Sequence, residues 1–133
     1  MIVYGAAWIA TGVTFLILDA IWLSQMAPRH YIPDIGEIMK PQFNVVAAGA
    51  FYMLYVTGVV FFAVAPALEK GGVMRAAMLG ALIGLLAYGT YDLTNLATLR
   101  TWTLKLTLLD MGWGAFVTAA SASVGCALAA KLD

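Results

Sequence analysis

Val73–Leu99, VMRAAMLGALIGLLAYGTYDLTNLATL, decides the fold of this chain. It is long and apolar enough to span a bilayer, which takes about 20 residues at about 1.5 Å each. Lipid offers the backbone no hydrogen-bond partners, so such a run must be helical, and its period is not the alternation of a barrel strand. Within it Tyr88, Tyr91, Asp92 and Asn95 follow an i, i+3, i+4, i+7 stripe that Gly84 and Gly80 continue in the other direction. One helix face therefore carries small residues at one end, where another helix can approach closely, and a polar, aromatic group at the other.

Three more segments read the same way: Ile2 to Met26, Phe43 to Ala65 and Trp102 to Ala130. The composition agrees. The 133 residues are 63% hydrophobic and 11% charged, with a mean hydropathy of +0.91, against about 45–50% apolar and about 25% charged in soluble domains. Seven basic and seven acidic residues cancel, so no basic stripe exists to neutralise a phosphate backbone, and a nucleic-acid partner is excluded. The expectation is an all-α integral membrane protein, a single four-helix domain over residues 1–133. The first segment has no basic leader, too long an apolar stretch and no small-x-small cleavage site, so it reads as a permanent helix rather than a signal.

The connections order the helices. Ala27 to Gln42 mixes Pro28, Pro33 and Pro41 with Arg29, His30, Asp34, Glu37, Lys40 and bulky apolar residues, the composition of an interfacial loop or short amphipathic turn. Pro66 to Gly72 reads as a tight turn, and a few residues around Arg100 make the third link. Short links favour antiparallel sequential neighbours in an up-down-up-down bundle with both termini on one side. Arg29, Lys40, Arg100 and Lys105 on one side against Lys70, Arg75 and Lys131 on the other give only a small excess, which points the termini weakly outward.

The same connectivity collects three carboxyls. Asp19 lies nine residues before Pro28, Asp92 eight before Arg100 and Asp110 nine after Thr101, so each sits roughly 12–14 Å along its helix from a loop on one face of the membrane. Ionisable residues at such depth are costly and mark functional sites by default. Carboxyls at one level also repel, so at least one should keep its proton or find a cation. Trp22 stands one turn beyond Asp19 and Trp113 one turn beyond Asp110, a weak internal echo of Asp-x-x-Trp in which an indole N–H is offered near a carboxylate. Asn44, Tyr52 and Tyr55 are the second helix's contribution to this level. The candidate ligand or proton site is thus Asp19, Trp22, Asn44, Tyr52, Tyr55, Tyr88, Tyr91, Asp92, Asn95, Asp110 and Trp113, rimmed by Arg29, Lys40, Arg100 and Lys105. The competing reading makes these residues interhelical hydrogen-bond glue, at about 0.6 kcal/mol a pair.

Other chemistry finds no support. The lone histidine, His30, sits in a loop, so no histidine metal site is expected, and a hard cation on the three aspartates is the one metal reading left open. No catalytic triad or phosphate loop is identifiable, no cofactor is expected, and Cys126 among small residues reads as packing. Tyr4, Tyr31 and Trp102 read as interface anchors.

The run Tyr88 to Leu99 with Trp102, the Asp110-Met111-Gly112-Trp113-Gly114 stretch, Asp19 to Leu23, Tyr31 and Phe51 to Tyr55 together resemble the bacterial membrane family called domain of unknown function 2177. The resemblance covers essentially the whole chain. It implies a four-helix protein of the bacterial inner, cytoplasmic membrane, and supplies no activity or catalytic residue. Three functional expectations stand: an intramembrane site that binds, or even modifies, a membrane lipid or other hydrophobic small molecule; a proton-coupled exporter working as a homodimer; and an accessory or assembly subunit of a larger membrane complex.

Overall fold

The computed structural model describes residues 1–133, all helix and connecting turns. Four helices are long and apolar enough to cross a membrane. We number them α1 (Ile2–Met26), α2 (Val45–Glu69), α3 (Gly72–Thr98) and α4 (Leu104–Ala130).

Two prolines shape their neighbourhoods in the same way. A proline inside a helix removes one N–H and crowds the carbonyl four residues back. At Pro28 and at Pro66 the chain answers with a wide π-helical turn, Ala27–Tyr31 and Val60–Val64. Helical turns therefore continue from α1 to Ile38, a stretch of 37 residues, and α2 runs on through Pro66 to Glu69 rather than turning there. The α2–α3 turn is instead confined to Lys70 and Gly71, with Gly71 at φ +99° and Gly72 at φ +63°, a backbone that suits glycine. Arg75 Nη1 closes it by donating to the carbonyls of Pro66 (3.2 Å) and Lys70 (3.1 Å).

The helices do not pack as four equal neighbours. α4 is the central one, twice as buried along its apolar stretch as any other, and it packs extensively on both α3 and α1. Small residues on α3 and α4 allow this. A Cβ placed on Gly80 would come 2.9 Å from the Thr118 carbonyl oxygen, one on Gly84 would run into the backbone of Gly114, and one on Gly125 into Thr11 Oγ1. Such contacts between backbones are how helices gain packing energy where lipid removes the hydrophobic drive.

α2 is the loosest helix, and unevenly so. Its second half, Val60–Glu69, packs against α1, α3 and α4, whereas the backbone of Val45–Val59 comes close mainly to α1. The first half of α2 thus stands away from the α3–α4 pair, in the half of the bundle that holds the aspartates. The chain ends meet at the opposite end, where Met1 and Asp133 line one small recess with Glu69.

Candidate functional site: an acidic, aromatic cleft between the helices

Where α2 stands away, a cavity of about 500 Å³ opens. All four helices line it, among them Asp19 and Trp22 from α1, Tyr52 from α2, Tyr88 and Tyr91 from α3, and Asp110 and Trp113 from α4. Eight of its ten lining residues are hydrophobic, so a polar floor meets apolar walls, the usual make-up of a small-molecule site.

The three carboxyls differ in how they are satisfied. Asp19, nearly buried, has both oxygens occupied: Tyr52 donates to Oδ2 at 2.5 Å and Trp113 Nε1 to Oδ1 at 3.1 Å. Asp110 receives one bond, from the Tyr31 hydroxyl to Oδ1 at 2.5 Å, and that hydroxyl accepts from Trp22 Nε1 at 3.1 Å. Asp92 is fully enclosed, at 0% exposure, and faces Asp110, yet neither of its oxygens has a well-formed hydrogen bond. A buried polar group without a partner costs about 1–3 kcal/mol, more when charged, so Asp92 carries an unmet demand for a proton, a cation or a donor.

The two Asp-x-x-Trp pairs interlock. α1 and α4 run antiparallel, so each tryptophan reaches the level of the opposite helix's aspartate. Trp113 of α4 donates to Asp19 of α1, and Trp22 of α1 serves Asp110 of α4 through Tyr31. The two indoles stack at 4.3 Å with 7° between their planes. Every donor in this assembly is neutral.

The remaining candidates fall in distinct places. Tyr88 lays its ring over Gly114, where any Cβ would collide with it, and meets Tyr55 edge-on at 6.3 Å. Tyr55 sits deeper, bonded to Thr118 Oγ1 at 2.8 Å. Tyr91 lines the cavity yet is 57% exposed, with its ring edge-on to Trp102. Asn95 is half-buried one turn beyond Asp92 and makes no side-chain hydrogen bond. Asn44 stays outside: it is the N-cap of α2, accepting from the Ala47 N–H at 3.0 Å. Arg29, Lys40, Arg100 and Lys105 are exposed and none lines the cavity.

Two residues read as anchors are built into the protein instead. Trp102 is buried and donates to Thr107 Oγ1 at 2.9 Å. Tyr31 holds Asp110, and the segment that carries it is tied down again where Thr103 Oγ1 donates to Asp34 Oδ2 at 2.7 Å. The segment after α1 therefore lies over the start of α4. One signal foreshadowed this: Ala27 to Gln42 is far longer and more apolar than a link between adjacent helices requires.

The family model for a predicted membrane protein, DUF2177, matches residues 4–127, and the chain belongs to that family. No curated protein and no solved structure matches it.

Proposed function

We propose that this member of the DUF2177 family holds an amphipathic molecule, a lipid or other hydrophobic small molecule, in the cleft between the first half of α2 and the α3–α4 pair. The polar part would rest against Asp110, with Asp92 buried behind it, and the apolar part would run outward past Phe51 and Tyr91 into the lipid. One observation carries this reading: a cavity of about 500 Å³ with mostly apolar walls, placed where α2 leaves its neighbours, has a carboxyl on its floor that still has an oxygen to offer. Hydrogen-bond glue alone accounts for Asp19, whose oxygens are both taken. It does not account for Asp92, whose buried oxygens meet no donor group other than the neighbouring Asp110 carboxyl.

The test fills the cavity without touching the carboxyls. Ala87 lines it and is half-buried on α3, so Ala87→Phe places a ring in the space. Native mass spectrometry of the protein released from a mild detergent should show a retained small molecule in the wild type and its loss in Ala87→Phe. A bare wild-type protein, or equal occupancy in the two, would sink the reading.

A further inference from the structure

The satisfaction of the three carboxyls falls off across the bundle, and the shortfall specifies a head group. Asp19 needs nothing more. Asp110 lines the cavity and receives a bond on Oδ1 alone, from Tyr31. Asp92, wholly buried beside it, has neither oxygen bonded. Three carboxyl oxygens on two adjacent residues therefore lack donors, and no protein cation reaches them. A single proton shared between the two carboxyls would answer only part of that deficit.

From this we infer that the cleft is selective for an amphiphile whose head is a protonated primary amine, held by Asp110 with Asp92 behind it. The inference rests on the cleft being a binding site, as proposed above, and adds the chemistry of what it takes. An ammonium brings three N–H donors and a positive charge. A quaternary ammonium brings charge without donors, and an alcohol one donor without charge. The walls suit a cation too, because Trp22, Trp113, Tyr88 and Tyr91 line the cavity and aromatic faces attract positive charge, with tryptophan the strongest. Six cavity-lining rings and two under-bonded carboxyls also fit a compact organic cation better than a metal ion, as no cluster of three metal-ligating side chains is formed.

Dodecylamine, dodecyltrimethylammonium and 1-dodecanol share a tail and differ only in the head. Titrated into the protein in a neutral maltoside detergent, each would be read by the fluorescence of the stacked Trp22–Trp113 pair at the cavity wall. Hydrogen bonds to charged groups are the strong ones, so the amine should bind about tenfold or more tighter than either analogue. Asp110→Asn and Asp92→Asn, both isosteric, should each erase most of that preference. Equal affinity for all three probes in the wild type would overturn amine recognition while leaving the cleft as a tail-binding site. A preference surviving in both aspartate variants would overturn its placement on these carboxyls. Saturable binding of none of the three would remove both this inference and the binding reading beneath it. The wild-type comparison stands even if a variant fails to fold.

Discussion

Replacing Gly84 by alanine adds one methyl group at the point where α3 and α4 come closest, and the structure shows why that methyl cannot be absorbed. The new Cβ would run into the carbonyl group of Gly114 and into Thr118 Oγ1. The first obstacle is backbone, so no rotamer change removes it, and the helices must separate by about 1 Å to restore ordinary contact. A gap of that size forfeits about a quarter to a half of each dispersion contact along the seam, and overpacking a tight site costs about 1–3 kcal/mol. Gly112 provides the control, since it is also inside a helix but a Cβ there meets nothing within 4 Å. Its alanine variant should be neutral or stabilising by about 0.5–1 kcal/mol, the helix-interior difference between the two residues. The helix-interior gain is common to both sites, so two chemically identical substitutions should differ by the overpacking cost, about 1–3 kcal/mol, in a reversible unfolding titration with a denaturing detergent. Gly84→Ala should also weaken amphiphile binding, because Tyr88 and Asp92 follow it along α3. If the two variants unfold within about 0.5 kcal/mol of each other, a difference well below the overpacking cost, the close crossing of α3 and α4 is refuted.

The tryptophan–tyrosine–aspartate chain makes a second prediction. Trp22→Phe and Tyr31→Phe each remove a partner from one relay, so each should destabilise by about 1–3 kcal/mol. Their double mutant should cost clearly less than the sum, since members of one network couple by about 0.5–3 kcal/mol, and full additivity in the same titration would mean that the relay is not formed. Asn44→Ala should lose about 1 kcal/mol through the missing N-cap while leaving amphiphile affinity unchanged. A fall in affinity with intact folding would instead place Asn44 in the site.

Much of this architecture is legible in the sequence for a single physical reason. Lipid leaves the backbone no alternative to helix, so hydropathy locates the spans, and counting crossings puts Asp19, Asp92 and Asp110 in one half of the bundle. What the pattern does not reveal depends on side-chain direction and on proline. Asn44 shares the level of the site in sequence terms, but an Asn just before a helix serves its own backbone, and that is where the structure finds it. Pro66 reads as the end of a helix, yet the wide turn over Val60–Val64 carries α2 past it. Tyr31 lies outside every apolar run, and only the turns after Pro28 bring its hydroxyl to Asp110. Helix propensities say nothing of α4 being central. That follows from Gly80, Gly84, Gly114 and Gly125 meeting across helices, pairings visible only once the chain is folded.

The internal echo of Asp-x-x-Trp gains its meaning from direction. On parallel helices the two motifs would set aspartate beside aspartate and tryptophan beside tryptophan, with like charges at one height. On the antiparallel α1 and α4 the order reverses, so each carboxyl faces the other helix's indole and the rings stack between them. The cost of burying acids is thereby met with neutral aromatic donors, leaving no lysine or arginine committed inside the bundle. α3 has no counterpart to this arrangement. Asp92 is followed three residues on by Asn95, not tryptophan, and it is the carboxyl left without a donor. The helix that breaks the echo also lines the cavity, through Ala87, Tyr88 and Tyr91. A molecule entering the cavity would meet Asp110, with the unsatisfied Asp92 buried behind it.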